Sequence, residues 1–182
     1  MARGAAIAAR IAAGGVGAVT SIPAGREQRE GAMIRIEASS VIEAPLGAVW
    51  GVVRDYNNLP GWQPNFAGSV IEAGGEPDRI GSIRVLTLAD GGGVIRERLL
   101  ALSDAEASMT YEIIETPLPI ANYRSTIRLR QITDGDRTYI TWAGEFDATA
   151  ERREAMTRLL LDQIYQGGFD ELKRQFARRP TG

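Results

Sequence analysis

AERREAMTRLLLDQIYQGGFDELKRQFAR, residues 150–178, is the stretch that decides the architecture. Met156, Leu159, Leu160 and Ile164 are spaced i, i+3, i+4 and i+8, and Phe169, Leu172 and Phe176 continue the apolar face past Gly167 and Gly168. About 28 helical residues rising ~1.5 Å each make a rod of roughly 42 Å. A rod of that length needs a broad apolar floor, and the candidate floor upstream is a run of alternating segments.

Ile34, Ile36, Ala38, Ser40 and Ile42 alternate with Arg35, Glu37 and Ser39, the period of a half-buried strand. Pro45 suits the first position of a helix, and Leu46, Val49, Trp50 and Val53 supply the stripe of a short one ending near Asp55. Residues 56–64, YNNLPGWQP, are turn-rich and expected to be irregular. Strands are then expected over 68–73, 81–88, 94–102 and 109–113, and on both sides of Asp134-Gly135. A hairpin centred on Asp90-Gly91 sets Arg84 opposite Glu97 and Leu86 opposite Ile95. Arg96 and Arg98 belong outside, so Ile95, Glu97, Leu99 and Ala101 face inward. The turn at Asp134-Gly135 matches Leu129 with Ile140, Ile127 with Trp142, Ser125 with Gly144 and Tyr123 with Phe146, all inward, and Arg124 with Glu145 outside. The expected class is α+β: a curved antiparallel sheet of seven strands around a long C-terminal helix, with one or two short helices after the first strand.

The 182 residues, 44% of them apolar, suffice for one core, assigned to residues 33–179. Residues 1–32 are mostly Ala, Gly and Arg without an aromatic side chain, the composition of a disordered extension. Arg3 and Arg10 give that segment a partial likeness to an export signal, but Gly14, Gly15 and Gly17 interrupt its apolar stretch, and a cytoplasmic location is expected. A net charge of −2 argues against nucleic-acid binding, and no apolar run is long enough for stable membrane insertion. Cysteine and histidine are both absent, which removes thiol nucleophiles, disulfides, thiolate zinc sites and imidazole bases. No metal and no cofactor is expected, and any catalysis falls to carboxylates, Tyr, Arg or Lys173.

A sheet gripping a helix leaves a gap wherever side chains fail to fill it. Ser125, Gly144, Gly167 and Gly168 are small, so the expected gap lies at the glycine pair, beside Tyr165; the alternative is close helix–sheet approach, or a kink, there. An inward Arg84–Glu97 pair is costly unless fully hydrogen-bonded. It is structural, or it binds a polar ligand group, or Glu97 acts as general acid or base. Tyr111, Tyr123 and Trp142 combine apolar faces with polar tips that pack a core or orient a ligand. Trp62 and Leu118 fall in loops, where a large apolar side chain covers something. Arg124, Arg128 and Arg130 form an outward stripe read as a solvated face.

In this element order, in the glycine turn 90–93 followed by Glu97-Arg98-Leu99, and in Asn122-Tyr123 followed by Ser125, residues 34–178 resemble the helix-grip superfamily (SRPBCC, START and Bet v 1-like). It includes START lipid-transfer domains, birch-pollen-allergen-like proteins, polyketide cyclases and plant abscisic-acid receptors. The resemblance implies a gate at Gly91 to Gly93, a latch at Pro117-Leu118-Pro119, and a pocket lined by Arg84, Glu97, Tyr111, Tyr123 and Ser125. Trp142 stands where the receptors are acidic, Trp62 lies near the place of their ligand-carboxylate lysine, and the latch lacks their histidine and arginine. Abscisic acid is therefore not the expected ligand; the chain is most similar to bacterial members of the cyclase and dehydrase group. Trp62, Leu86, Ile113, Leu118, Trp142 and Tyr165 complete the expected ligand-binding set.

Three functions follow from this reading. The first is binding of a small hydrophobic molecule with a polar group, as in lipid transport, by a monomer or weak dimer. The second is a cyclase or dehydratase using Glu97, and the third is an accessory protein acting through its surface.

Overall fold

Alternation becomes strand over β1 (Ile34–Ile42), β2 (Phe66–Ile71), β3 (Ile83–Leu88), β4 (Val94–Ser103), β5 (Ser108–Glu115), β6 (Ala121–Ile132) and β7 (Arg137–Asp147). The computed structural model describes residues 33–177, so the expectations for residues 1–32 and for the helix beyond Ala177 lie outside the described residues. The strands form one antiparallel sheet in the order β1-β7-β6-β5-β4-β3-β2. Neighbours in sequence pair by hairpins, whereas β1 lies beside β7 and β2 takes the opposite edge. Helix α1 (Leu46–Val53) and a 3-10 helix (Tyr56–Gly61) carry the chain between those edges. Pro45 is the N-cap of α1, with ψ 145°, one position before the expected one. The segment expected to be irregular is ordered as a 3-10 helix, started by Asp55, whose side chain accepts from the Asn57 amide at 3.1 Å.

Both predicted hairpin registers are present. Arg84 faces Glu97 and Leu86 faces Ile95, and Leu129–Ile140, Ile127–Trp142, Ser125–Gly144 and Arg124–Glu145 are all paired. The expected Tyr123–Phe146 pair is not: one extra residue in β6 between Ala121 and Arg124 makes a bulge, with Asn122 at φ 53°. The two rings still meet on the inner face, 6.5 Å apart. A second bulge, between Leu99 and Ala101 of β4, reverses the alternation there and turns Ala101 out to solvent instead of inward.

The C-terminal helix consists of α2 (Ala150–Arg158), a π-helical stretch (Leu159–Tyr165) and α3 (Gln166–Ala177). The cause lies in the spacing. From Ile164 to Phe169 is one residue more than a single α-helical face accepts, and the wider π turn absorbs it, so that Leu160, Ile164, Tyr165 and Phe169 are all buried. Two side-chain amides satisfy carbonyls of this stretch: Asn65 Nδ2 donates to Gln163 O at 2.8 Å, and Gln63 Nε2 donates to Ile164 O. Gln63 in turn accepts from the Asn65 amide at 2.8 Å, so the loop is tied to the helix. Among the described residues no helix is long and apolar enough to cross a membrane.

The expected gap at the glycine pair is absent, and the alternative holds. A β-carbon on Gly168 would lie 3.1 Å from ring carbons of both Trp62 and Trp142, so this glycine serves contact. At Gly144 the Tyr165 hydroxyl occupies the place of a side chain. Gly167 is looser, its nearest would-be contact being Asn65 Nδ2 at 3.7 Å. Gly167→Ala is therefore expected to gain stability, up to the ~1 kcal/mol of helix propensity. Gly168→Ala is expected to lose about 1 kcal/mol or more through overpacking. Urea denaturation measures both, and stabilisation by both substitutions would contradict the close approach at Gly168.

Candidate functional site

The inner faces of β4 and β5 and the π-helical stretch of the C-terminal helix border a small cavity of about 30 Å³. Its walls are Ile95, Glu97, Tyr111, Ile113, Tyr123 and Trp142 on the sheet, and Leu159, Leu160 and Ile164 on the helix; Leu59, Phe66, Leu88 and Leu118 close the remainder. Of the expected ligand-binding set, Glu97, Tyr111, Ile113, Leu118, Tyr123 and Trp142 line this space. Trp62, Arg84, Leu86, Ser125 and Tyr165 stand behind it.

Packing explains that division. Trp142 stacks on Tyr165 at 4.7 Å and 10°, and meets Trp62 at 5.5 Å, so the two aromatics fill the volume beside the glycines. Trp142 Nε1 donates to Tyr111 Oη at 3.0 Å and to Ser125 Oγ at 2.9 Å, and Ser125 Oγ donates to the Ala143 carbonyl at 2.8 Å. The Tyr123 and Tyr165 hydroxyls are 2.8 Å apart. The polar tips expected to orient a ligand thus satisfy one another, as buried polar groups must. Leu86 is wholly buried in the core.

Arg84 and Glu97 form a buried pair, 2% and 4% exposed. Arg84 Nε donates to Glu97 Oε2 at 2.7 Å, and its second contact with the same oxygen is 2.6 Å, lengths typical of a charge-assisted pair. Arg84 also donates to the Tyr56 carbonyl and lies over the Tyr56 ring at 4.1 Å and the Tyr111 ring at 5.1 Å. Burial pushes the Glu97 carboxyl above the ordinary carboxylate range, and Arg84 opposes that shift. Both Arg84 contacts converge on Oε2, and Glu97 is the one carboxylate among the described cavity-lining residues. The helix and 3-10 residues of the lining, Leu59, Leu159, Leu160 and Ile164, are not in the expected ligand-binding set, although the last three lie on the apolar helix face that the spacing predicts.

The hairpin loop after β3 and the loop between β5 and β6 meet above the cavity: a β-carbon on Gly93, at φ 119°, would lie 3.6 Å from Pro117 Cγ. Leu88 and Leu118, at the roots of these loops, line the cavity itself. The mouth is shut.

A curved sheet closed on one long helix, with a small internal space bordered by a buried carboxylate, defines a helix-grip protein. This chain belongs to the polyketide cyclase / dehydrase and lipid transport family, whose model matches residues 33–177, a branch of the SRPBCC superfamily. The structure of XoxI from Bacillus cereus is similar at 30% identity and a TM-score of 0.70, covering 79% of this chain and 96% of that one. A protein of Nitrosospira multiformis is similar at 26% identity and a TM-score of 0.67, covering 80% and 100%. Norcoclaurine synthase from Thalictrum flavum, solved with dopamine and hydroxybenzaldehyde, shares the fold at 18% identity and a TM-score of 0.66, covering 91% and 100%.

Two outcomes are expected from this geometry. Arg84→Met strands a buried carboxylate and is expected to cost about 3–5 kcal/mol, whereas adding Glu97→Leu recovers part of that loss; additive costs in urea denaturation would show the pair to be uncoupled. The second concerns the tyrosines. Burial raises Tyr111 and Tyr123 well above the ordinary 10.0, raises Tyr56, and pushes Tyr165 up to about 12. The folded state therefore keeps protons that the unfolded chain releases above pH 10, and stability present below that pH is lost as pH rises further. Tyrosinate absorbance of these four is expected to appear together with unfolding; its appearance in folded protein at pH 10 would contradict their burial.

Proposed function

We propose that this protein binds one small apolar molecule carrying a hydrogen-bond donor, enclosed between the sheet and the C-terminal helix, with Glu97 as the acceptor. The observation that carries this reading is the position of Glu97: a buried carboxylate, held from behind by Arg84, on the wall of an otherwise apolar space. The neighbouring hydroxyls and the indole already have partners, so Glu97 is the group with acceptor capacity to offer. Ligand sites commonly measure about 300–1,000 Å³, so binding requires the cavity of about 30 Å³ to widen. The π-helical stretch and the two loops at the mouth are the walls able to yield. That the same fold in norcoclaurine synthase accommodates dopamine and hydroxybenzaldehyde supports an aromatic ligand of this size.

A second reading is supported by the upward shift of Glu97 and by the description of the family. A carboxyl raised by burial is suited to moving a proton in a cyclase- or dehydratase-like step. Binding and catalysis separate at one substitution: Glu97→Gln keeps the shape and removes the proton acceptor.

The test uses N-phenyl-1-naphthylamine, an apolar fluorophore with one N–H donor. Saturable one-to-one binding is expected. Glu97→Gln weakens it by roughly tenfold, the worth of ~1.5 kcal/mol for a hydrogen bond to a charged group. Leu160→Trp, which fills the cavity, abolishes it. Binding indifferent to both substitutions would place the fluorophore elsewhere and defeat the proposal. For the enzymatic reading, Glu97→Gln is expected to abolish turnover of a polyketide-like substrate, a loss far beyond the roughly tenfold loss of affinity; full turnover would remove Glu97 from the chemistry.

A further inference from the structure

The ladder between β5 and β6 ends at Glu112–Arg124, although β5 runs on to Glu115 and β6 begins at Ala121. Beyond that point each strand follows its other neighbour. On β5, Ile113 pairs with Glu97 and Glu115 with Arg96 of β4; on β6, Ala121 pairs with Asp147 of β7 across the bulge. Asn122, at φ 53°, donates from Nδ2 to Asp147 at 2.7 Å, which ties the bulged end of β6 to β7 and away from β5. The sheet is split here, between residues 113–115 and residues 121–123.

A groove of about 740 Å³ lies along the split, lined by both strand ends together with Ile120 and Met33. Ile113 and Tyr123 line this groove and the inner cavity alike, so the two spaces are separated at these side chains. They differ in freedom. Tyr123 is buried and its hydroxyl is bonded to Tyr165, whereas Ile113 is half-buried and held by packing alone. A rotamer change of a partly exposed side chain is far faster than the loop displacement needed to part Gly93 from Pro117. The groove is lined by the charged side chains Glu112, Glu115, Arg124 and Glu145, and Met33, Ile114 and Ile120 give it an apolar strip along which an apolar molecule can pass.

We propose that the ligand enters and leaves sideways through this split in the sheet, with Ile113 as the swinging side chain, and not through the mouth between the two loops. The proposal rests on the cavity-binding reading above, and it concerns the route alone. It makes the β6 bulge the feature that holds the entrance open, since a continuous ladder would join Tyr123 to β5 and seal it.

Stopped-flow fluorescence with N-phenyl-1-naphthylamine tests it. Ile113→Ala is expected to raise the association rate constant by roughly three- to tenfold, and the dissociation rate constant by at least as much because Ile113 also lines the cavity. Ile114→Trp, on the groove side and outside the cavity, is expected to lower both by a similar factor, and it serves on its own if Ile113→Ala fails to fold. Pro117→Gly, which loosens the mouth, changes the rates less than either. Rates that respond to Pro117→Gly and ignore positions 113 and 114 would overturn the sideways route while leaving cavity binding intact. Absence of saturable binding in the unaltered protein would overturn cavity binding, and the route with it.

Discussion

The arrangement depends on the contact of Trp142 with the C-terminal helix. Its indole lies on β7, stacked on Tyr165, tilted against Trp62 and 6.3 Å from Phe169. One ring therefore joins sheet, loop and helix. The contact exists because Gly168 presents no side chain to the two indoles, and because Gly144 yields its place to the Tyr165 hydroxyl. With Trp142 Nε1 shared between Tyr111 and Ser125, the joint is apolar around a central indole that is itself hydrogen-bonded, a combination that specifies one packing of the interior.

That joint also determines where the remaining space can lie. Tyr165, Trp62 and Trp142 fill the region beneath the glycine pair, so the cavity is displaced toward Glu97, Tyr111 and Tyr123. The π-helical stretch allows this, since it brings Leu160, Ile164 and Tyr165 inward together, giving one side chain to the joint and two to the cavity wall. The Arg84–Glu97 pair then stands at the border between packed core and cavity. Two aromatic rings and a backbone carbonyl hold the guanidinium in place, so the cost of burying both charges is met by several partners at once.

Much of this was legible from local chemistry. The Asp90-Gly91 and Asp134-Gly135 turns, with strict alternation on either side, were enough to place Arg84 against Glu97 and Ile127 against Trp142, because a short loop leaves few registers in which every apolar residue faces one way. Where that logic failed, at Ala101 and at Tyr123–Phe146, a bulge had added one residue to a strand. Alternation alone carries no signal for such an insertion. The spacing from Ile164 to Phe169 did carry the π turn, which a reading by 3.6-residue periodicity passes over.

The amino-acid sequence by itself determined the elements, their hairpin partners and the inward direction of Glu97, Tyr111 and Trp142, since each follows from the period of a strand or helix and the length of a turn. Only the tertiary structure decided that β1 closes against β7, that Gly144 and Gly168 are filled and not vacant, and that the sheet divides between β5 and β6. A small residue reads the same in sequence whether it leaves a hole or admits a neighbour's ring. Volume belongs to side chains from distant parts of the chain, and it exists only once they meet.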